Sequence, residues 1–170
     1  MTLAELNRLS PEGFVARLGD VFEHSPWVAE RAFKKKPFRS VDELHEAMMG
    51  AVRAAPEAQR LGLIRAHPEL AGAEAKEGTL TAHSSGEQGR LGLTTLTKDE
   101  FRRISDINRR YREKFGFPCI VALKLHSNRT SVLDEMERRL ANRPEVELAA
   151  ALEQIGHITR GRLDRMLRTD

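Results

Sequence analysis

Thr97-Lys98-Asp99-Glu100 places a hydroxyl three residues ahead of a carboxylate, the spacing of a capping box, in which each side chain accepts from the other residue's backbone amide at a helix start. The same spacing recurs in Thr2-Leu3-Ala4-Glu5 and Ser40-Val41-Asp42-Glu43. Ser10-Pro11 and Ser25-Pro26 add two openings of another kind, a hydroxyl N-cap followed by proline at the first helical position, where its missing N–H is not needed. Five helix starts distributed along the chain predict an all-α fold.

Apolar spacing agrees. Leu44, Met48, Ala51 and Val52 fall on one helical face, and Leu61, Leu63 and Ile64 prepare another. Val146, Ala150, Ile155, Ile158 and Leu163 form a broad stripe near the C-terminus. Two segments break the pattern. From about Pro68 to Gly89 the chain is rich in Gly, Ala, Ser and Thr and reads as a loop re-entering a short helix. Phe115-Gly116-Phe117-Pro118-Cys119-Ile120-Val121-Ala122-Leu123 is an apolar run that proline separates from the preceding helix, either an extended buried segment or a helix. The expected architecture is an irregular single-domain bundle, residues 1–170, of seven or eight helices.

A chain of 170 residues can bury a core without metal or disulfide staples. With 40% hydrophobic and 31% charged residues it is not a disordered chain, and no apolar run approaches the roughly 20 residues needed to cross a bilayer. Neither the start, MTLAELNRLS, nor the end, RMLRTD, reads as a targeting or lipidation signal, and the lone Cys119 suits a reducing compartment, so the expected location is the cytoplasm. The net charge of +3 and pI near 9.3 raise the alternative of a basic helical protein that binds nucleic acid or regulates a partner. Against it, Lys34-Lys35-Lys36 and Arg109-Arg110 are short runs among interspersed acids, and no zinc-finger or RNA-binding aromatic motif accompanies them.

Among six histidines, His67 stands out because Pro68 ends regular backbone beside it, and a helix end can project a side chain into a cleft. Histidine there serves either proton transfer near neutral pH or simple stabilisation of a helix C-terminus. Ser84-Ser85-Gly86-Glu87-Gln88 repeats the capping-box spacing between Ser84 and Glu87, and it also offers several hydrogen-bonding groups to a polar substrate. His83 and Glu87, four apart, have a spacing that could hold metal on a helix, and with His67 they would make a metal-assisted amidohydrolase, but no second matching pair follows and no metal is expected. Arg160 and Arg162 flank the final apolar stripe, where an arginine either snorkels or offers its planar fork to a carboxylate.

Taken together, Ser25-Pro26-Trp27, Leu63 through Gly72 with its His67-Pro68-Glu69-Leu70-Ala71 centre, Leu80-Thr81 with Ser84 and Glu87-Gln88, Tyr111 with Phe115-Gly116-Phe117-Pro118, and Ile158 through Leu163 resemble the 2-oxo-4-hydroxy-4-carboxy-5-ureidoimidazoline (OHCU) decarboxylase family. The pieces occur in family order and span nearly the whole chain. The resemblance implies an all-helical, homodimeric carboxy-lyase that forms (S)-allantoin in urate catabolism without metal or organic cofactor. It implies that His67, Glu87 and Arg162 are catalytic, and that Pro68, Ser84, Ser85, Gly86, Gln88, Phe117, Cys119, Ile120, Val121, Ala122, Leu123 and Lys124 line the substrate site. Its partner would be a small anionic substrate, not nucleic acid or membrane. Cys119 stands where the family usually has phenylalanine, and Leu91 where alanine is usual before Gly92-Leu93.

Overall fold

The computed structural model describes residues 1–168, so Thr169 and Asp170, part of the chain end read above for targeting signals, lie outside the described residues. Among the described residues there are ten α-helices and no strand: α1 (Leu3–Asn7), α2 (Pro11–Leu18), α3 (Trp27–Phe33), α4 (Val41–Ala54), α5 (Glu57–Ala66), α6 (Ala73–Glu77), α7 (Ala82–Arg90), α8 (Lys98–Phe115), α9 (Arg129–Arg139) and α10 (Pro144–Met166). Eight of these have seven or more residues, in line with the expected seven or eight, while α1 and α6 have five each. None of the helices is long and apolar enough to cross a membrane. The chain folds as two compact units, one comprising Met1–Ala66 with the chain from Thr159 onward, the other His67–Ile158.

In the first unit, local chemistry sets the helix starts. Thr2 and Glu5 close a complete capping box, with Glu5 N–H donating to Thr2 Oγ1 (3.2 Å) and Thr2 N–H to Glu5 Oε2 (2.7 Å). Ser10 accepts from Gly13 N–H (3.1 Å) ahead of Pro11. At Ser40 only half the box forms: Ser40 Oγ accepts from Glu43 N–H, while the Glu43 carboxylate accepts from the backbone and side chain of Arg39. Ser25 does not cap at all. Its hydroxyl donates to Glu23 O (2.8 Å), and α3 begins after Pro26 without a side-chain cap. The core gathers Leu6, Phe14, Leu18, Val21, Phe22, Val28, Leu44, Met48 and Val52, each essentially inaccessible and each contributing about 1.5–3 kcal/mol by burial where the side chain is large. Asn7 bonds both backbone groups of Phe38, whose ring stacks on Phe14 with centroids 6.2 Å apart.

In the second unit, α8 has the complete capping box expected at Thr97 and Glu100. It stops at Gly116, whose φ of +78° gives the left-handed C-cap that glycine adopts without steric cost. Ile104, Ile107, Asn108 and Tyr111 repeat at helical spacing on its buried face. Tyr111 meets Phe115 and Phe117 at 4.4 and 5.9 Å between ring centroids. The Pro68–Gly89 stretch holds two short helices, α6 and α7, rather than one. The apolar run after Gly116 is irregular, non-helical backbone as far as Ala122, followed by a 3-10 turn at Leu123–Leu125. The α10 stripe holds at Ile155 and Leu163 but moves by one residue elsewhere, with Glu147, Ala151 and Thr159 in the buried places expected of Val146, Ala150 and Ile158. Glu147, Ala151, Ile155, Thr159 and Leu163, each four apart, are buried, whereas Val146 is 43% exposed. The shift follows from Glu147, which turns inward to accept from Tyr111 Oη (2.6 Å), Arg139 Nε (2.7 Å) and Asn142 Nδ2 (2.9 Å). A carboxylate satisfied this fully is tolerated inside, and its apolar neighbour is left outside.

Candidate active site

His67 is the first residue of the second unit, directly after α5, and is only 6% exposed. The loop after it is held by side chains from two helices. Gln88 of α7 accepts from Ala71 N–H (2.9 Å) and approaches Glu69 O with its amide (3.5 Å), and Asn108 of α8 donates to Leu70 O (2.9 Å). Ala71 has φ +51°, a left-handed conformation that costs a non-glycine residue about 1 kcal/mol or more and that this bonding over-determines. Pro68 is half-buried at the loop's start.

Helix α7 begins three residues earlier than the Ser84–Glu87 spacing suggested. Thr81 is the N-cap, accepting from Ser84 N–H (3.3 Å), so Ser84 and Glu87 lie inside the helix and not across its start. The helical turn then sorts the candidates. Ser84 and Gln88, four apart, are buried; Glu87 is half-buried; Ser85 and Gly86 are exposed.

The third element is the segment after α8. Phe117, Cys119, Ile120, Val121, Ala122 and Leu123 are buried, while the Lys124 side chain is exposed. Arg90, at the C-terminal end of α7, donates to Leu123 O and to His126 O (3.1 Å for the latter), which fastens α7 to this segment. The second unit thus brings together the His67 loop, α7 and the Phe117–Leu123 segment. Cys119 sits near the Tyr111–Glu147–Arg139 cluster. Burial pushes its thiol up to about 12, with the Glu147 carboxylate acting in the same direction and the Arg139 guanidinium opposing. Burial, then the bond to Glu147, also raises Tyr111.

Arg162 belongs to the first unit and is 1% exposed. Its guanidinium donates through Nη1 to Val21 O (3.0 Å) and through Nη2 to Glu23 Oε1 (2.9 Å). Arg160, two residues before it, faces the surface and pairs with Asp42 and, at 3.0 Å, with Asp164. Sequence reasoning missed Glu23, Asn108, Arg139 and Gln154. Nothing local marks Glu23 as the partner of an arginine 139 residues away. His83 and Glu87 gain no further ligand: among the described residues no group of three or more His, Cys, Asp or Glu side chains is placed to hold a metal ion.

The second unit, helical around a buried histidine at a helix end and a neighbouring carboxylate-bearing helix, carries the side chains of a proton-transferring enzyme. The family model described as OHCU decarboxylase matches residues 7–164. The 2-oxo-4-hydroxy-4-carboxy-5-ureidoimidazoline decarboxylase of Haloferax volcanii is 39% identical over 163 residues, covering 96% of this chain and 94% of the relative. The uric acid degradation bifunctional protein of Bacillus sp. (strain TB-90) is 38% identical, covering 99% of this chain and 32% of that larger protein. A crystal structure of (S)-allantoin synthase superposes with a TM-score of 0.79 at 28% identity, covering 98% of this chain, which spans about half (54%) of that one. The chain belongs to the OHCU decarboxylase family.

Proposed function

We propose that this chain decarboxylates OHCU to (S)-allantoin, with His67 transferring protons and Glu87 and Arg162 orienting the substrate. The observation that supports pairing His67 with Glu87 is the hydrogen bond that the Ala71 amide donates to the Gln88 side chain, which fixes α7, bearing Glu87, against the loop that begins at His67. The chemistry asks for little more. The bond from the ring carbon to its carboxylate breaks, CO2 departs, and the electron pair passes into the adjacent ring imine, so the substrate is its own electron sink. The former imine nitrogen takes up a proton, the hydroxyl loses its proton to become the ring carbonyl, and one proton added to one face of the neighbouring carbon sets the stereocentre of the product.

In this reading His67, buried and therefore shielded from bulk water, moves the proton. Glu87 accepts from the hydroxyl and ureido groups. Arg162 receives the carboxylate with a guanidinium whose plane is fixed by Glu23 and the Val21 carbonyl, so little orientational freedom is lost on binding. Ser84 and the Phe117–Leu123 backbone line the pocket beside Pro68 and Gln88. Ser85, Gly86 and Lys124, all exposed, contribute through backbone groups. The same reading makes the enzyme a cytoplasmic homodimer, in keeping with its family resemblance and its lone buried Cys119. Adding the purified protein to freshly generated OHCU and measuring CO2 release tests the reading: release well above the spontaneous rate is expected, and an unchanged rate rejects it.

A further inference from the structure

Phe117, Cys119, Ile120, Val121 and Ala122 are buried residues of a segment with no helical bonding of its own, and among the described residues there is no strand for it to pair with. Buried peptide groups need partners, and where no ladder or helix supplies them side chains must. Here three helices of the second unit each send one. Arg139 of α9 donates to Ile120 O, Arg90 of α7 donates to Leu123 O, and Gln154 of α10 accepts from Ala122 N–H at 2.8 Å. We propose that Gln154 is a positioning residue for the reaction, setting the orientation of the Ala122 peptide and so the shape of the backbone that meets the substrate. This rests on the reading in which that segment lines the substrate site.

Gln154 differs from the other two clamps in a way that makes the role separable from folding. Arg139 is part of a buried ionic cluster with Glu147 and Tyr111, and its loss would disturb the core. Gln154 is half-buried, carries no charge, and stands one residue before Ile155, whose side chain supplies the buried contact of that turn. The segment itself stays down through the apolar side chains of Ile120, Val121 and Ala122, all 3% exposed or less. What Gln154 adds is direction. With no acceptor for its N–H, the Ala122 peptide would rotate to find another partner and carry its neighbours' amides and carbonyls with it. A side chain that shapes the ground-state and transition-state complexes alike acts on the Michaelis constant more than on turnover.

The test compares Gln154→Leu, which removes the acceptor at similar volume, with Gln154→Glu, whose carboxylate can still accept from Ala122 N–H. Three quantities are measured: steady-state kinetics on OHCU generated in situ, calorimetric affinity for (S)-allantoin, and melting temperature. The expected result for Gln154→Leu is a roughly tenfold rise in KM and a matching loss of allantoin affinity, with kcat within about threefold and the melting temperature within a few degrees of wild type. Gln154→Glu should return KM to within about threefold of wild type. An unchanged KM and affinity in Gln154→Leu overturns the proposal. So does a combined fall of kcat and melting temperature that Gln154→Glu fails to rescue, since that marks a merely structural bond. If the wild type binds allantoin without turning OHCU over, the decarboxylase reading fails and the affinity arm still decides on Gln154; if it does neither, both fall.

Discussion

Arg162 Nη2 donates to Glu23 Oε1 across 2.9 Å, and both side chains are 1% exposed. Removing one partner of such a pair strands the other charge inside, which costs about 3–5 kcal/mol. Glu23→Gln is therefore expected to be severely destabilising, as read from urea unfolding, whereas a loss below about 1 kcal/mol would mean that the carboxylate is not what holds Arg162.

The two terminal arginines should separate cleanly. Residues two apart on a helix differ by about 200° in direction, and Arg160 accordingly faces Asp42 and Asp164 at the surface while Arg162 faces inward. Arg162→Lys keeps the charge and loses the planar fork, so kcat/KM should fall about a hundredfold. Arg160→Lys retains a cation at a partly exposed site where pairs contribute little, and should be silent in both kinetics and stability. The reverse pattern would place the functional arginine on the wrong face of α10.

His67→Asn and Glu87→Gln should each lower kcat by about a hundredfold or more, the scale of general acid and base catalysis. Melting temperatures should stay within a few degrees of wild type. Loss of activity that tracks loss of folded protein would reassign both side chains to stability.

Cys119 should be inert. Its thiol is 1% exposed and pushed up to about 12, so iodoacetamide should modify it only after denaturant is added. Below about pH 8.5 the folded and unfolded chains both hold this proton. Above that the unfolded chain releases it and the folded chain does not, so stability falls as pH rises toward 12. In Cys119→Ala the unfolding free energy should decline less steeply above about pH 9; an identical slope would show that the thiol titrates alike in both states. The burial also bears on restoring the family's usual residue. The sequence suggests that Cys119→Phe would alter KM in an intact fold, but a larger ring at a closed position costs about 1–3 kcal/mol by overpacking, visible in the same unfolding curves.

The helix starts were legible because capping is decided within four residues. Thr2 with Glu5, Thr97 with Glu100 and Ser10 with Pro11 behave as their spacing says. Where spacing misled, another local bond competed: Ser25 donates to Glu23 O, and Thr81 takes the cap that Ser84 could have taken. In α10, Ile155 and Leu163 are buried as their spacing says, but Val146, Ala150 and Ile158 yield to their neighbours, because periodicity counts only apolar residues and the buried carboxylate of Glu147 looks like a surface residue until Tyr111, Arg139 and Asn142 are seen around it. The candidate site residues were named through the family resemblance and not by any local pattern. The site's supports were missed: Glu23, Asn108, Arg139 and Gln154 reach partners 19 or more positions away along the chain, and no local pattern encodes such bonds.

Whether this chain turns OHCU into one enantiomer of allantoin is measured by generating OHCU from urate in situ and following circular dichroism as allantoin accumulates, with and without the protein. A dichroic signal of the S enantiomer is expected that develops faster than spontaneous decay, scales with protein concentration and disappears with His67→Asn. Racemic allantoin appearing at the spontaneous rate would contradict it.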